Sequence, residues 1–90
     1  MRYNFITKHQ KFLKRLMSAQ ADTGIAFDEL CTLLQRLGFA LRVRGGHYIF
    51  TREGMIEIIN LQPSGSLAKP YQVKQARNLL RKYRLSEEEC

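Results

Sequence analysis

The spacing of apolar positions changes along the chain, and each change marks an element. From Lys8 to about Gln20, KHQKFLKRLMSAQ sets Phe12, Leu13, Leu16 and Met17 on one helical stripe, with Lys8, Lys11, Lys14 and Arg15 spread around the remainder. The spacing predicts an amphipathic helix with a cationic solvent side. Its stripe is short, so docking on the domain is a more economical use than lying on a membrane. His9 falls on this helix and is expected to face solvent. ADTG then interrupts the pattern, and FDELCTLLQRLG returns Phe27, Leu30, Cys31, Leu34 and Leu37 at helical spacing. Asp28 is the expected N-cap of this second helix, and Gly38 the residue beyond its end that enters the left-handed region at no Cβ cost.

After Gly38 the period drops to two. In FALRVR, Phe39, Leu41 and Val43 alternate with Ala40, Arg42 and Arg44, so one face enters a core while two guanidiniums point the other way. Gly45 and Gly46 supply the positive φ angles of a tight hairpin, and HYIFT forms the returning strand. The turn TREG leads to MIEIINL, a predicted third strand, and QPSGSLAKP reads as a loop of turn-formers. YQVKQARNLLRKY then places Val73, Ala76, Leu80 and Tyr83 on one stripe, with Pro70 near the helix start. The expected order is helix, helix, three strands, helix. That is an α+β domain whose three-stranded antiparallel sheet is covered by helices on one face and left open on the other. No repeat or linker divides the chain, which reads as one domain over residues 1–90: a helical extension at 8–20, a core at 27–85 and a flexible tail at 86–90.

Ninety residues suffice for one modest core and leave no room for a separate regulatory domain. The charge is less ordinary: 15 Lys plus Arg against 8 Asp plus Glu gives +7. With the terminal run Glu87, Glu88 and Glu89 set aside, 15 cations face 5 anions, a balance of +10 that suits a polyanion such as nucleic acid. A plainly solvating surface is the alternative reading of the same excess. The apolar runs are too short to span a bilayer, and MRYNFITKHQ lacks the apolar segment of a secretory signal, so a cytoplasmic location is expected. Cys31 and Cys90 read as a buried thiol and a tail thiol, too few and too far apart for a disulfide framework or a zinc site. His9 and His47 are isolated, and Asp22, Asp28, Glu29, Glu53 and Glu57 are scattered, so neither a metal nor a cofactor is expected.

The chemistry concentrates in RVRGGHYIF, Arg42 to Phe50. Glycines in a hairpin turn need no explanation beyond their backbone, and a strand histidine is commonly a surface residue. The surroundings add to that. His47 follows two residues without side chains, so Gly45 and Gly46 leave room for a phosphodiester to reach the ring. Imidazole donates or accepts protons at neutral pH, and Arg42 and Arg44 across the hairpin are suited to hold a phosphate. Lys74 and Arg77 on the last helix are further candidates for phosphate contact, and Tyr48 for stacking on a base, although a strand aromatic is more often core.

Taken together, FDELCTLLQRLGFALRVRGGHYIF, a third strand, a polar loop and KPYQVKQARNLLRKYRL resemble the HicA family of bacterial toxins over about Phe27 to Leu85. Lys8 to Gln20 looks like the helical extension of some members. The resemblance implies a fold like the double-stranded-RNA-binding domain, cleavage of mRNA that blocks translation, and a cognate antitoxin of the HicB family, through which alone DNA would be met. The family's histidine maps onto His47 and its preceding glycine onto Gly45. Gly46 stands where the family commonly has serine, and IINLQPSGS replaces the Pro- or His-containing segment that follows the third strand in many members. The expected activity is thus a metal-independent endoribonuclease with one catalytic histidine. A non-catalytic RNA-binding module and a domain that binds an acidic protein partner are the alternatives.

Overall fold

The computed structural model describes residues 7–18 and 22–85. Eight elements follow in order: α1 (Lys8–Met17), α2 (Phe27–Arg36), β1 (Ala40–Arg44), β2 (His47–Thr51), β3 (Ile59–Leu61), β4 (Pro63–Ser64), β5 (Leu67–Ala68) and α3 (Pro70–Lys82). The predicted α+β class holds: a three-stranded antiparallel sheet in the order β1-β2-β3 is joined by three helices. The expected tail at 86–90, with Cys90, lies outside the described residues, as does Gln20 at the predicted end of the first helix.

Local chemistry sets the helix ends. Thr7 and Gln10 form a capping box before α1: the Thr7 hydroxyl accepts from the Gln10 backbone N–H at 3.1 Å, and the Gln10 amide oxygen accepts from the Thr7 N–H at 2.9 Å. At α2 the expected cap is corrected. Asp28 sits inside the first turn, and the N-cap is Ala26, whose side chain has nothing to offer. The hairpin β4–β5 supplies an acceptor in its place: the Phe27 N–H donates to the Ser66 carbonyl at 3.0 Å, while the Ala68 N–H donates back to the Ile25 carbonyl at 2.8 Å and ties the hairpin to the helix start. The far end follows expectation. Gly38 has φ +98, its N–H donates to the Gln35 carbonyl and the Phe39 N–H to that of Leu34, the paired bonds of a Schellman motif. A Cβ on Gly38 would stand 3.1 Å from Arg52 Nε, which donates to the Leu37 carbonyl.

Two predicted segments differ. The third strand was expected over MIEIINL but pairs only from Ile59 to Leu61, and Ile56 and Ile58 before it are exposed. The predicted loop after it contains β4 and β5, two residues each, turned by Gly65 at φ +64.

The register divides the sheet into two faces, because residues directly opposite in an antiparallel ladder project to the same side. Leu41 pairs with Phe50 and Phe50 with Ile59, while Tyr48 pairs with Leu61. Of these Phe50, Ile59 and Leu61 are buried, and Leu41 and Tyr48 pack against the same core. Leu30, Leu33 and Leu34 of α2 lose all exposure there, each burial contributing about 1.5–3 kcal/mol. Tyr48, half-buried, meets Phe27 edge-on with centroids 4.8 Å apart, so its ring packs against the core side of the sheet and not on the open face where a base would stack. Cys31 is buried as expected. Burial, assisted by the charge of Asp28, pushes its thiol up to about 11, which keeps it protonated and unreactive at neutral pH.

Candidate nucleic-acid interface on the open sheet face

The other face carries the chemistry. Arg44 pairs with His47, Arg42 with Ile49, and Ile49 with Asn60, so these five residues share the side of the sheet turned away from the core. The turn that holds them is as predicted: Gly45 and Gly46 have φ +51 and +85, positive at both central positions as a type I′ hairpin requires. No heavy atom lies within 4 Å of where a Cβ would stand on either glycine, leaving the approach beside His47 clear. Arg42 and Arg44 are exposed and have no ion-pair or hydrogen-bond partner among the described residues.

His47 is half-buried and held at both ring nitrogens. Nδ1 lies 3.3 Å from Asn60 Oδ1, and Nε2 lies 3.5 Å from the Gln62 side-chain nitrogen. Since Asn60 presents an oxygen and Gln62 an NH2, the compatible neutral ring carries its proton on Nδ1 and a lone pair on Nε2. Gln62 is itself bound. Its side-chain oxygen accepts from Lys69 Nζ and Gln72 Nε2, each at 3.4 Å, and its backbone N–H donates to Gln72 Oε1 at 2.8 Å. Gln72 is 5% exposed. A groove of about 360 Å³ between β3 and α3, lined by Ile59, Asn60, Gln72, Ala76 and Leu79 among others, opens beside this cluster.

The expected residues of α3 fare differently from those of β1. Arg77 is 4% exposed, donates from Nε to the Leu16 carbonyl at 2.9 Å and forms an ion pair with Asp22. Its expected contact with phosphate is therefore corrected: the guanidinium is spent inside the protein, closing the C-terminal end of α1. Lys74 is exposed, but next to the buried Gln72 and Val73 and without a bond to the hairpin. Sequence reasoning also missed Asn60, Gln62, Lys69 and Gln72. The alternation of Asn60 and Gln62 about the buried Leu61 was the available signal, since it puts both amides on the face of His47.

Among the described residues no three His, Cys, Asp or Glu side chains converge as metal ligands, and no helix is long and apolar enough to cross a membrane. No family model matches the chain, and neither a curated protein nor a solved structure matches it.

Proposed function

We propose that the protein is an endoribonuclease of the HicA toxin type, with a fold like the double-stranded-RNA-binding domain and a HicB-like antitoxin as its partner. One observation carries the reading: His47 sits on the open sheet face opposite Arg44, with Nδ1 against Asn60 Oδ1 and, on Nε2, a lone pair that a 2′-hydroxyl can take over from the Gln62 NH2 at 3.5 Å. In the proposed reaction Nε2 takes the proton of a ribose 2′-hydroxyl as the 2′-oxygen attacks the adjacent phosphorus. The bond from phosphorus to the 5′-oxygen breaks, leaving a 2′,3′-cyclic phosphate. The 5′-oxygen departs with a proton from the imidazolium just formed or from solvent. Arg42 and Arg44 bind the phosphate and steady the charge that gathers on it. An acidic antitoxin inhibits by covering the same cationic face.

The test is cleavage of a long unstructured RNA in chelator by wild type and His47→Ala. A positioned acid or base contributes about 10²–10⁴-fold, so the variant should lose nearly all cleavage and keep most of its RNA affinity. A strict magnesium requirement overturns the metal-independent mechanism. The second reading, RNA binding without cleavage, is favoured by the Gln62 amide that already engages Nε2. It takes the lead if both proteins bind RNA and neither cuts it.

A further inference from the structure

The cluster around His47 contains one group whose polarity is immovable. A side-chain amide can rotate and exchange its oxygen for its nitrogen, and a neutral imidazole can move its proton, but a backbone N–H is always a donor. The Gln62 backbone N–H donates to Gln72 at 2.8 Å, so Gln72 must turn its oxygen there. Gln72 is 5% exposed, and its NH2 then faces the Gln62 side-chain oxygen at 3.4 Å. Lys69, which only donates, approaches the same oxygen at 3.4 Å. With two donors on its oxygen, Gln62 must turn its NH2 toward His47 Nε2, at 3.5 Å. Nε2 must then accept, the proton must sit on Nδ1, and Asn60 Oδ1 at 3.3 Å receives it.

We infer that Gln62 and Gln72 are positioning residues that transmit the polarity of one main-chain N–H to His47 and hold its neutral ring in the Nδ1–H form. Lys69 strengthens the relay by making rotation of the Gln62 amide unfavourable. Free neutral imidazole in histidine favours the opposite form, with the proton on Nε2, so the relay has a definite effect to detect. The catalytic consequence rests on the ribonuclease reading: a ring with its proton on Nε2 has no lone pair to offer a 2′-hydroxyl, whereas in the Nδ1–H form the hydroxyl has only to take the place of the Gln62 NH2 at 3.5 Å, and a misassigned tautomer is costly to a histidine base.

The test records two-bond ¹⁵N–¹H correlation spectra of wild type, Gln72→Glu and Gln62→Glu, labelled at histidine nitrogen, at a pH where the ring is neutral. Wild-type His47 should show the Nδ1–H pattern. In Gln72→Glu, a carboxylate oxygen replaces the NH2 facing Gln62, so the Gln62 amide should rotate, turn its oxygen to the ring and shift His47 to the Nε2–H pattern. Gln62→Glu presents an oxygen to Nε2 directly and should give the same reversal from a half-buried position, which keeps the test available if the buried variant does not fold. A wild-type ring in the Nε2–H form, or a pattern unchanged in a folded variant, overturns the relay. The same proteins are assayed on RNA, where each variant should lower kcat about tenfold or more with KM changed less than about twofold. If wild type cuts no RNA, the ribonuclease reading fails while the spectra still decide the relay.

Discussion

The arginines of β1 and those of α3 look alike in the sequence and serve opposite ends in the folded protein. Arg42 and Arg44 stand on an open sheet face with no partner among the described residues. On α3, Arg77 binds the Leu16 carbonyl and Asp22, Arg81 donates to the Met17 carbonyl at 2.8 Å, and Lys82 pairs with Glu57. Two of these three cations close the C-terminal end of α1, where unpaired carbonyls carry partial negative charge. The lesson is that a cationic excess overstates the charge available to a polyanion, because part of it is consumed by the protein's own carbonyls and carboxylates.

Substitution should separate the two groups. Arg77→Ala leaves Asp22 and the Leu16 carbonyl without their partner and should cost about 2–4 kcal/mol in urea unfolding, with RNA affinity per folded molecule unchanged. A loss of affinity at unchanged stability would erase the distinction. Arg42→Ala combined with Arg44→Ala should do the reverse. RNA affinity at moderate salt should fall about tenfold, and the slope of log affinity against log salt should flatten by about 0.7 per lost phosphate contact, with stability within about 0.5 kcal/mol of wild type. Gly46→Ser asks what the turn contributes to presenting these cations. The space beside Gly46 is open, but its φ of +85 disfavours any side chain, so thermal unfolding should report a loss of about 1 kcal/mol.

The smallest effect belongs to Glu57. Hydrogen bonds from Lys82 and then Tyr83 hold its carboxyl at about 2, below the ordinary 4.5. A carboxyl depressed by folding stabilises the protein at pH above its unfolded value, and that contribution is lost as pH falls from about 4.5 toward about 2. The midpoint of thermal unfolding should therefore drop more steeply through this window in wild type than in Glu57→Gln.

What the sequence revealed was what periodicity and glycine encode. The apolar stripes located all three helices, and Gly38 and the Gly45–Gly46 pair marked a helix end and a turn that occur as expected. The third strand is shorter than its pattern because alternation in MIEIINL continues past the point where a partner strand exists, leaving Ile56 and Ile58 exposed. Strands of two residues, as in β4 and β5, are too short to show a period. Arg77 and Lys74 could not be told apart by type, since the difference lies in Asp22 and Leu16, more than fifty residues away. The amides around His47 were hidden for a similar reason: Asn60, Gln62 and Gln72 carry no charge pattern and acquire meaning only when β3 and α3 meet.

The arginine closure of α1 also orders events in time. Leu16 and Met17 receive their donors from residues 61 and 64 positions later in the chain. A polypeptide made from its N-terminus therefore releases α1 long before α3 exists to hold it. The stripe of Phe12, Leu13 and Leu16 can pack on α2 as soon as that helix follows, since the two are in contact, but the Leu16 and Met17 carbonyls stay without these donors until α3 emerges. The apolar side of α1 is thus settled before its carbonyl end, and until α3 emerges the last turn of that helix is free to fray in a nascent copy.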